Sequence, residues 1–454
     1  MYSKSKEYNE NYLATIVKLQ NLRKHSNADR LQCLAIYGNN VITGLSAKEN
    51  DLYVYFPLEC AISADFLKYT NSFRDNSLNQ DSLQKGMFEA NCRVKAVRLR
   101  GEKSEGYVVP VSEIEKFCKD FLSKEIKISE KDVGTDFDEI CNHVLCKKYI
   151  PANQRQASIG NKKTKGNVKK YQTRLIENQF HFHPSTEQLK RNVDKINPND
   201  FIVITEKYHG TSFVVSNVLV KKKLSLIDKI GKFFGMSVID TEYGMLYSSR
   251  SVLKNIAMDD GKQNNHFYDS DVWKIVADKV FPNLKKGYSA YGEIVGYTPS
   301  GRFIQSNYDY GCPPGSLDYI VYRMTYTNAD GDVFELSPSQ MNEYCFQFGI
   351  KSPIVHYSGK AKDLYPDLNV EEHWHENFLN CLIKNYLEKD CIFCKSKPKI
   401  PAEGVILRVD KPNVWEVYKL KSFRFLMQET AELDKNQVDI ETEESLEEIN
   451  EKLQ

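Results

Sequence analysis

The first residues with chemistry in them are a lysine and its neighbours at the end of an apolar strand. Residues Phe201 to Val215 read Phe-Ile-Val-Ile-Thr-Glu-Lys-Tyr-His-Gly-Thr-Ser-Phe-Val-Val. An apolar strand runs into Glu206 and Lys207, turns at Gly210 and leaves as a second apolar strand. Burying an ammonium without a partner is costly, so a lysine in this position predicts a pocket. A lysine held among other cations in such a pocket is disposed to act as an amine nucleophile. Gly210 lets a phosphate approach the backbone closely. A bare Lys-x-x-Gly match occurs by chance in most chains, whereas the longer string with a strand on each side is far more specific. Cys391 and Cys394 have metal-ligand spacing, with His373, His375 and Cys381 upstream. Zinc prefers four ligands, and a second Cys-x2-Cys is missing, so we expect part-buried thiols in a hairpin there.

A scaffold has to hold these residues. A chain of 454 residues predicts two domains or three. The 41% hydrophobic and 27% charged content is an ordinary globular balance and excludes wholesale disorder. No apolar run reaches the roughly 18 residues of a membrane span. The polar start lacks the apolar region of a signal peptide. Eleven cysteines, an odd number without a secretory signal, read as reduced thiols. The expectation is a cytoplasmic chain with no membrane partner. The net charge of +1 is unevenly divided, because Glu429 to Gln454 carries ten acidic residues against two lysines, which leaves +9 on the rest. A basic body behind an acidic tail suits a polyanionic partner.

The expected fold class is α+β and β-rich. Strand signals at Tyr12–Leu19, Leu31–Tyr37, Asn40–Leu45, Leu52–Phe56 and Cys92–Leu99 suit a five-strand OB-type β-barrel, assigned to residues 1–145. Residues 146–178 form a basic linker rich in Lys, Gln, Asn and Gly, serving as a tether or an RNA-phosphate contact. Residues 179–428 make a second, strand-rich domain, and 429–454 an acidic tail, helical or disordered. The segment Lys221 to Asp240 opens with a basic run and points to an RNA-contacting hairpin or helix. Asn328 to Lys399 is an elaboration with helical stretches.

The string Glu206-Lys207-Tyr208-His209-Gly210-Thr211-Ser212 resembles motif I of the covalent nucleotidyltransferases, in the form typical of nick-sealing RNA ligases. Further stretches resemble the later motifs in family order. These are Ser248-Ser249-Arg250 for motif Ia, Ala290 to Gly296 for motif III, Tyr319 to Arg323 for motif IIIa, Glu403 to Arg408 for motif IV, and Val417 to Lys421 for motif V. Arg323 departs from the pattern, where an acidic residue often follows the aromatic. In front, His25 to Leu31 and Val97 to Gly106 together resemble the OB module fused to some RNA ligases. The first of these also resembles tRNA-binding OB modules of synthetase-associated proteins.

The resemblance implies a ligase-type nucleotidyltransferase domain built on antiparallel sheets, using ATP with Mg²⁺ or Mn²⁺. Lys207 would attack the α-phosphate and hold AMP. Lys419 and Lys421, two residues apart in a strand, share a face and would reach the same phosphate. Glu403 would recruit the metal. Arg250 and Glu293 would fix the ribose and the phosphate side. Tyr322 would stack on adenine, with Tyr319 the competitor. Glu206 would accept from the adenine amine. His209, Gly210 and Ser212 complete the nucleotide loop, His209 and Ser212 mattering more for the RNA steps. The implied partner is nicked RNA or an RNA-containing duplex, gripped by the front module, and the implied state is a monomer. DNA ligases and capping enzymes carry an OB domain after motif V that ends in a further basic motif, whereas the 33 residues after Lys421 are acidic here, which argues against both. Two alternatives stand beside this reading. One is a non-catalytic RNA- or tRNA-binding OB protein, which has no need of Lys207, Glu403 and a lysine pair together. The other is a DNA-strand ligase, which would need no contact to a 2′-OH.

Overall fold

The computed structural model describes residues 2–6, 8–150, 173–255 and 270–435. Most of the expected basic linker and the acidic tail beyond residue 435 therefore lie outside the described residues. The front module contains β1 (Ala14–Lys18), β2 (Leu31–Ile36), β3 (Asn39–Gly44), β4 (Leu52–Phe56), β5 (Cys60–Ile62), β6 (Val97–Leu99), β7 (Glu102–Ser104), β8 (Tyr107–Pro110), α1 (Val111–Asp120), β9 (Asp136–Phe137) and β10 (Cys146–Lys148). The central strands are buried on both sides, with side chains alternating as the pleat requires. Ile16, Val54 and Phe56 face the core under α1, while Val17, Tyr53 and Tyr55 face Leu34 and Val41.

Four of the five expected strands form, but the closed barrel does not appear. Hydrogen bonding gives separate ladders, β8-β4-β1-β9, β2 with β3, β6 with β7 and β10 with β5, and none closes a ring among the described residues. The fifth strand is split: Arg93 bridges Ala61 of β5, with the Val94 N–H donating to the Cys60 carbonyl at 2.9 Å, and a named strand resumes only at Val97–Leu99. The module also runs past 145, since Cys146–Lys148 pairs with β5. The two stretches that resembled an OB module meet in space. His25 Nε2 lies 3.1 Å from the Leu99 carbonyl, and Arg23 pairs with Glu102 at 2.9 Å. His25 is buried, so its role in the His25 to Leu31 stretch is to fasten one loop to the other.

The second domain comprises β11 (Glu187–Gln188), β12 (Phe201–Glu206), β13 (Thr211–Lys221), α2 (Leu226–Phe233), β14 (Thr241–Ser248), α3 (Val272–Val280), β15 (Tyr288–Gly296), β16 (Leu317–Thr327), β17 (Val333–Glu335), α4 (Pro338–Gln347), β18 (Val355–Lys360), α5 (Trp374–Tyr386), β19 (Gly404–Lys411), β20 (Val414–Lys421) and α6 (Phe423–Asp434). One sheet has the order β11-β20-β19-β12-β18 and the other β14-β13-β15-β16-β17. All neighbours are antiparallel except β11 with β20. The elaboration at 328–399 supplies the backing. Trp374, Phe378 and Leu382 of α5 cover the first sheet, and Met341 and Tyr344 of α4 join Trp273 of α3 behind the second. Period-two alternation then decides the other faces. In β12, Ile202 and Ile204 join the core while Val203 and Thr205 face a cleft between the sheets.

The domain starts a little before residue 179, because Leu175 already packs on Val218 and Leu246. The front module is fastened to it by Lys190 with Glu105 at 2.9 Å, Arg191 with Asp136 at 2.6 Å and Arg93 with Asp434 at 3.4 Å. Asp434 belongs to α6, so residues 429–434, expected to open the acidic tail, are helix. Ser422 caps that helix, and its buried Phe423 and Phe425 anchor it as an ordered element.

Candidate active site

The cleft between the sheets is lined by side chains from β12, β13, β15, β16, β19 and β20. All ten sequence-predicted residues, Lys207, Glu403, Lys419, Lys421, Glu206, His209, Gly210, Arg250, Glu293 and Tyr322, lie around it. Ser212 lies there as well.

Register brings the motif I and motif IV residues together. Glu206 pairs with Val405 across β12 and β19, and the Lys207 N–H donates to the Gly404 carbonyl at 3.0 Å. Glu403 is thereby held beside Lys207, whose Nζ lies 2.9 Å from its Oε1. Gly404 takes φ 141°, and a Cβ there would meet the Leu420 carbonyl at 2.1 Å. This turn therefore requires glycine for Glu403 to point inward. Lys421 reaches the same Oε1 at 3.4 Å and sits over the Phe425 ring. Val417, Lys419 and Lys421 share the cleft face of β20, while Tyr418 and Leu420 fill the core behind it.

Glu403 is 2% exposed. Burial pushes its carboxyl up, but the charges of Lys207, Lys421 and His209 outweigh that and hold it below the ordinary glutamate range. Its second oxygen, Oε2, is buried and accepts no hydrogen bond among the described residues. An anionic oxygen left in that state is costly, and its open valence suits a cation. Among the described residues no three His, Cys, Asp or Glu side chains are grouped to hold a metal by themselves. Glu403 is thus the residue that would hold magnesium or manganese, with substrate phosphates completing the shell.

The loop around His209 is fixed from three sides. Its backbone N–H donates to the Tyr310 hydroxyl at 2.7 Å, and its ring lies edge-on to Tyr308 and Phe425. Gln305 donates to the Gly210 carbonyl at 2.9 Å. Gly210 was expected to let a phosphate approach. A Cβ there would instead meet the Ile294 carbonyl at 2.5 Å, so glycine is first required by the packing of β15 against the loop.

Tyr322 and Tyr319 are separated by strand alternation. Tyr319 is buried and donates its hydroxyl to the Phe213 and Ala290 carbonyls, which makes it a core residue. Tyr322 lines the cleft with the His183 ring 5.1 Å away. Glu206 lines it too, but its Oε2 meets His356 Nε2 at 2.8 Å. Arg323, the departure in motif IIIa, is not in the cleft wall. Its guanidinium forks onto Glu335 of β17 and lies 4.8 Å from the Trp415 ring. The neighbouring β17 strand supplies the carboxylate.

Among the cleft residues that escaped the sequence reading, His183, Trp415 and Glu429 carry polar or aromatic groups close to predicted ones. His183 sits in a run with no motif spacing, and only the fold carries it into the cleft beside Tyr322 and Trp415. Trp415 was findable, since it shares the alternation of Val417, Lys419 and Lys421. Glu429 on α6 lies 3.2 Å from Lys421 and gives the expected tail a place in the site. Beyond Lys419 and Lys421 a second hollow opens against the front module, with Lys148, Lys190, Arg191 and Arg250 in its wall. Cys391 and Cys394 lie with their sulfurs 2.8 Å apart, packed near Tyr308 and Phe425. Their role among the described residues is packing behind the motif I loop.

Residues 200–423 match the family model described as RNA ligase. Among solved structures, a mutant of Naegleria gruberi RNA ligase with AMP and Mn superposes with a TM-score of 0.55 at 16% identity, covering 92% of this chain and 98% of that one. Another mutant of that ligase with ATP and Mn gives 0.54 at 14% identity, covering 93% and 99%. The same ligase with PPi gives 0.54 at 15%, covering 92% and 99%. At these identities the likeness is one of fold. No curated protein matches the chain in sequence.

Proposed function

We propose, from the match of residues 200–423 to the RNA ligase family model, that this chain is an ATP-dependent RNA ligase that seals nicks bearing a 3′-OH and a 5′-phosphate. The observation that carries this reading is that Lys207 and Lys421 both lie within 3.4 Å of one buried oxygen of Glu403, in the wall of the cleft between the sheets.

In the first step Lys207 Nζ, having given its ammonium proton to solvent, attacks the α-phosphorus of ATP. A phosphorus–nitrogen bond forms as the bond to the β-phosphate oxygen breaks, and pyrophosphate leaves. Lys419 and Lys421 face the same point and stabilise the charge gathered on the phosphoryl oxygens. A magnesium or manganese ion on Glu403 would supply Lewis-acid neutralisation of the phosphate charge. Tyr322 and His183 hold the base, and Arg250 and Glu293 the sugar and phosphate side, so that the nucleophile meets the phosphorus in line.

In the second step a 5′-phosphate oxygen of the nick attacks the same phosphorus, and the bond to Lys207 breaks. In the third, the RNA 3′-OH attacks the activated 5′-phosphate and AMP departs. We read the front module as OB-type, gripping the duplex beside the nick through phosphate and 2′-OH contacts. The hollow at its boundary, with Lys148, Lys419 and Arg250 in a wall that also holds Glu59, Glu105 and Glu429, supports that reading. We take the enzyme to act as a monomer in the cytoplasm.

Incubation with α-labelled ATP or GTP and magnesium, followed by denaturing electrophoresis, tests the first step. Label from ATP on the wild type, absent from Lys207→Ala, supports it. Label from GTP points to a capping-type enzyme, and no label from either leaves a non-catalytic RNA-binding protein. Nicked duplexes with ribose or deoxyribose at the 3′-OH then separate an RNA ligase from a DNA-strand ligase.

A further inference from the structure

The segment between β13 and β14, residues 221–240, is built to be covered, yet nothing in the described fold covers it. Ser225 and Asp228 form a capping box that starts α2, and no side chain of that helix is buried. At about 100° per residue, Leu226, Ile227, Ile230, Phe233 and Phe234 fall within roughly 120° of the helix circumference. Leu226, Ile227 and Phe233 are 78%, 81% and 85% exposed, and Met236 and Ile239 extend the patch. A helix of eight residues is marginal in water on its own, so this apolar face calls for a partner. Around the patch stand five lysines, at 221, 222, 223, 229 and 232, against Asp228 and Asp240.

RNA would meet the lysines but offers little to a face of leucine, isoleucine and phenylalanine. An anionic lipid surface takes both halves. Phenylalanine and aliphatic side chains enter the boundary between headgroups and acyl chains, while lysines remain among the headgroups. The helix is far too short to span, and among the described residues no helix is long and apolar enough to cross a membrane. Position favours the same occupant. Strand β13 runs from Thr211, next to the Lys207 loop, to Lys221, about 33 Å at 3.3 Å per residue. The lobe therefore stands off the cleft and leaves it open to a nick.

We infer that the lobe of residues 221–240 docks the protein peripherally on an anionic membrane surface, apolar face inward.

Flotation of the full chain with phosphatidylcholine vesicles, with and without phosphatidylserine, tests this. Wild type should float with the phosphatidylserine vesicles only, and less as salt rises. The variant Ile227→Ser/Ile230→Ser/Phe233→Ser should lower the floated fraction by about tenfold, while labelling by α-labelled ATP stays unchanged. If that variant loses labelling as well, Lys222→Glu/Lys229→Glu, which keeps the apolar face, must reduce flotation. Wild type that labels but does not float overturns the inference. So does a labelling-competent variant that floats like wild type, or one that changes only its molecular mass or its affinity for nicked RNA, which would assign the lobe to a second copy or to the substrate.

Discussion

Lys207 and Glu403 meet at 2.9 Å across the seam of β12 and β19, a lysine and a carboxylate held together by antiparallel register. One oxygen of Glu403 is shared with Lys207 and Lys421, and the other is buried without a hydrogen-bond partner among the described residues. Charge and shape at this residue can be separated by substitution. Glu403→Gln keeps the volume and removes the charge, and should lower ATP labelling of Lys207 by roughly 10²-fold or more. Titration with magnesium or manganese should restore part of it, because mass action offsets a weakened metal site. No response to metal at any concentration would show that the carboxylate is not the metal's anchor.

The pairing also predicts how stability follows pH. The Glu403 carboxyl lies below its ordinary value in the folded protein, so between the two values the unfolded chain binds more protons and stability rises with pH. The contribution is complete above the ordinary glutamate pKa of about 4.3 and is lost as pH falls through the folded value. Thermal unfolding of wild type and Glu403→Gln should therefore show a gap that is flat from pH 8 to 5 and narrows only under acid. A gap that closes near pH 6 would contradict the lowered value.

Gly210→Ala asks whether the loop's glycine is set by packing. Its Cβ would lie 2.5 Å from the Ile294 carbonyl, a backbone atom that cannot rotate away. Separation of the loop from β15 should cost about 1–3 kcal/mol of stability. Labelling should fall by more than tenfold as Lys207 is displaced, since misplacement of reacting groups is expensive. Wild-type unfolding and labelling would show that β15 yields at this point.

The base-binding end gives a prediction that separates binding from chemistry. Tyr322→Ala should raise the KM for ATP by about tenfold, the scale of one lost base–aromatic stack, with the maximal labelling rate little changed. Tyr322→Phe should behave as wild type. Equal losses in rate for both variants would assign the hydroxyl, not the ring, the main role.

Much of the site was legible because strand chemistry is local. The run Phe201 to Val215 fixes a strand, a lysine and a turn from side-chain type alone. Lys419 and Lys421 share a face because the pleat repeats every two residues. The elements themselves followed for the same reason, as at Leu31–Ile36 and Leu52–Phe56, where apolar and β-branched residues leave little choice.

What the sequence by itself determined, then, was the set of reactive side chains and the strand faces that carry them. Tertiary structure decided their company. Only packing carries His183 to Tyr322, turns Glu429 of an apparent tail onto Lys421, and sends Arg323 to Glu335 rather than into the cleft. It also split the fifth expected strand between Arg93, which bridges Ala61, and Val97–Leu99, and among the described residues left the apolar face of α2 uncovered. These outcomes depend on contacts between residues far apart in the chain, whose register and burial no local pattern encodes.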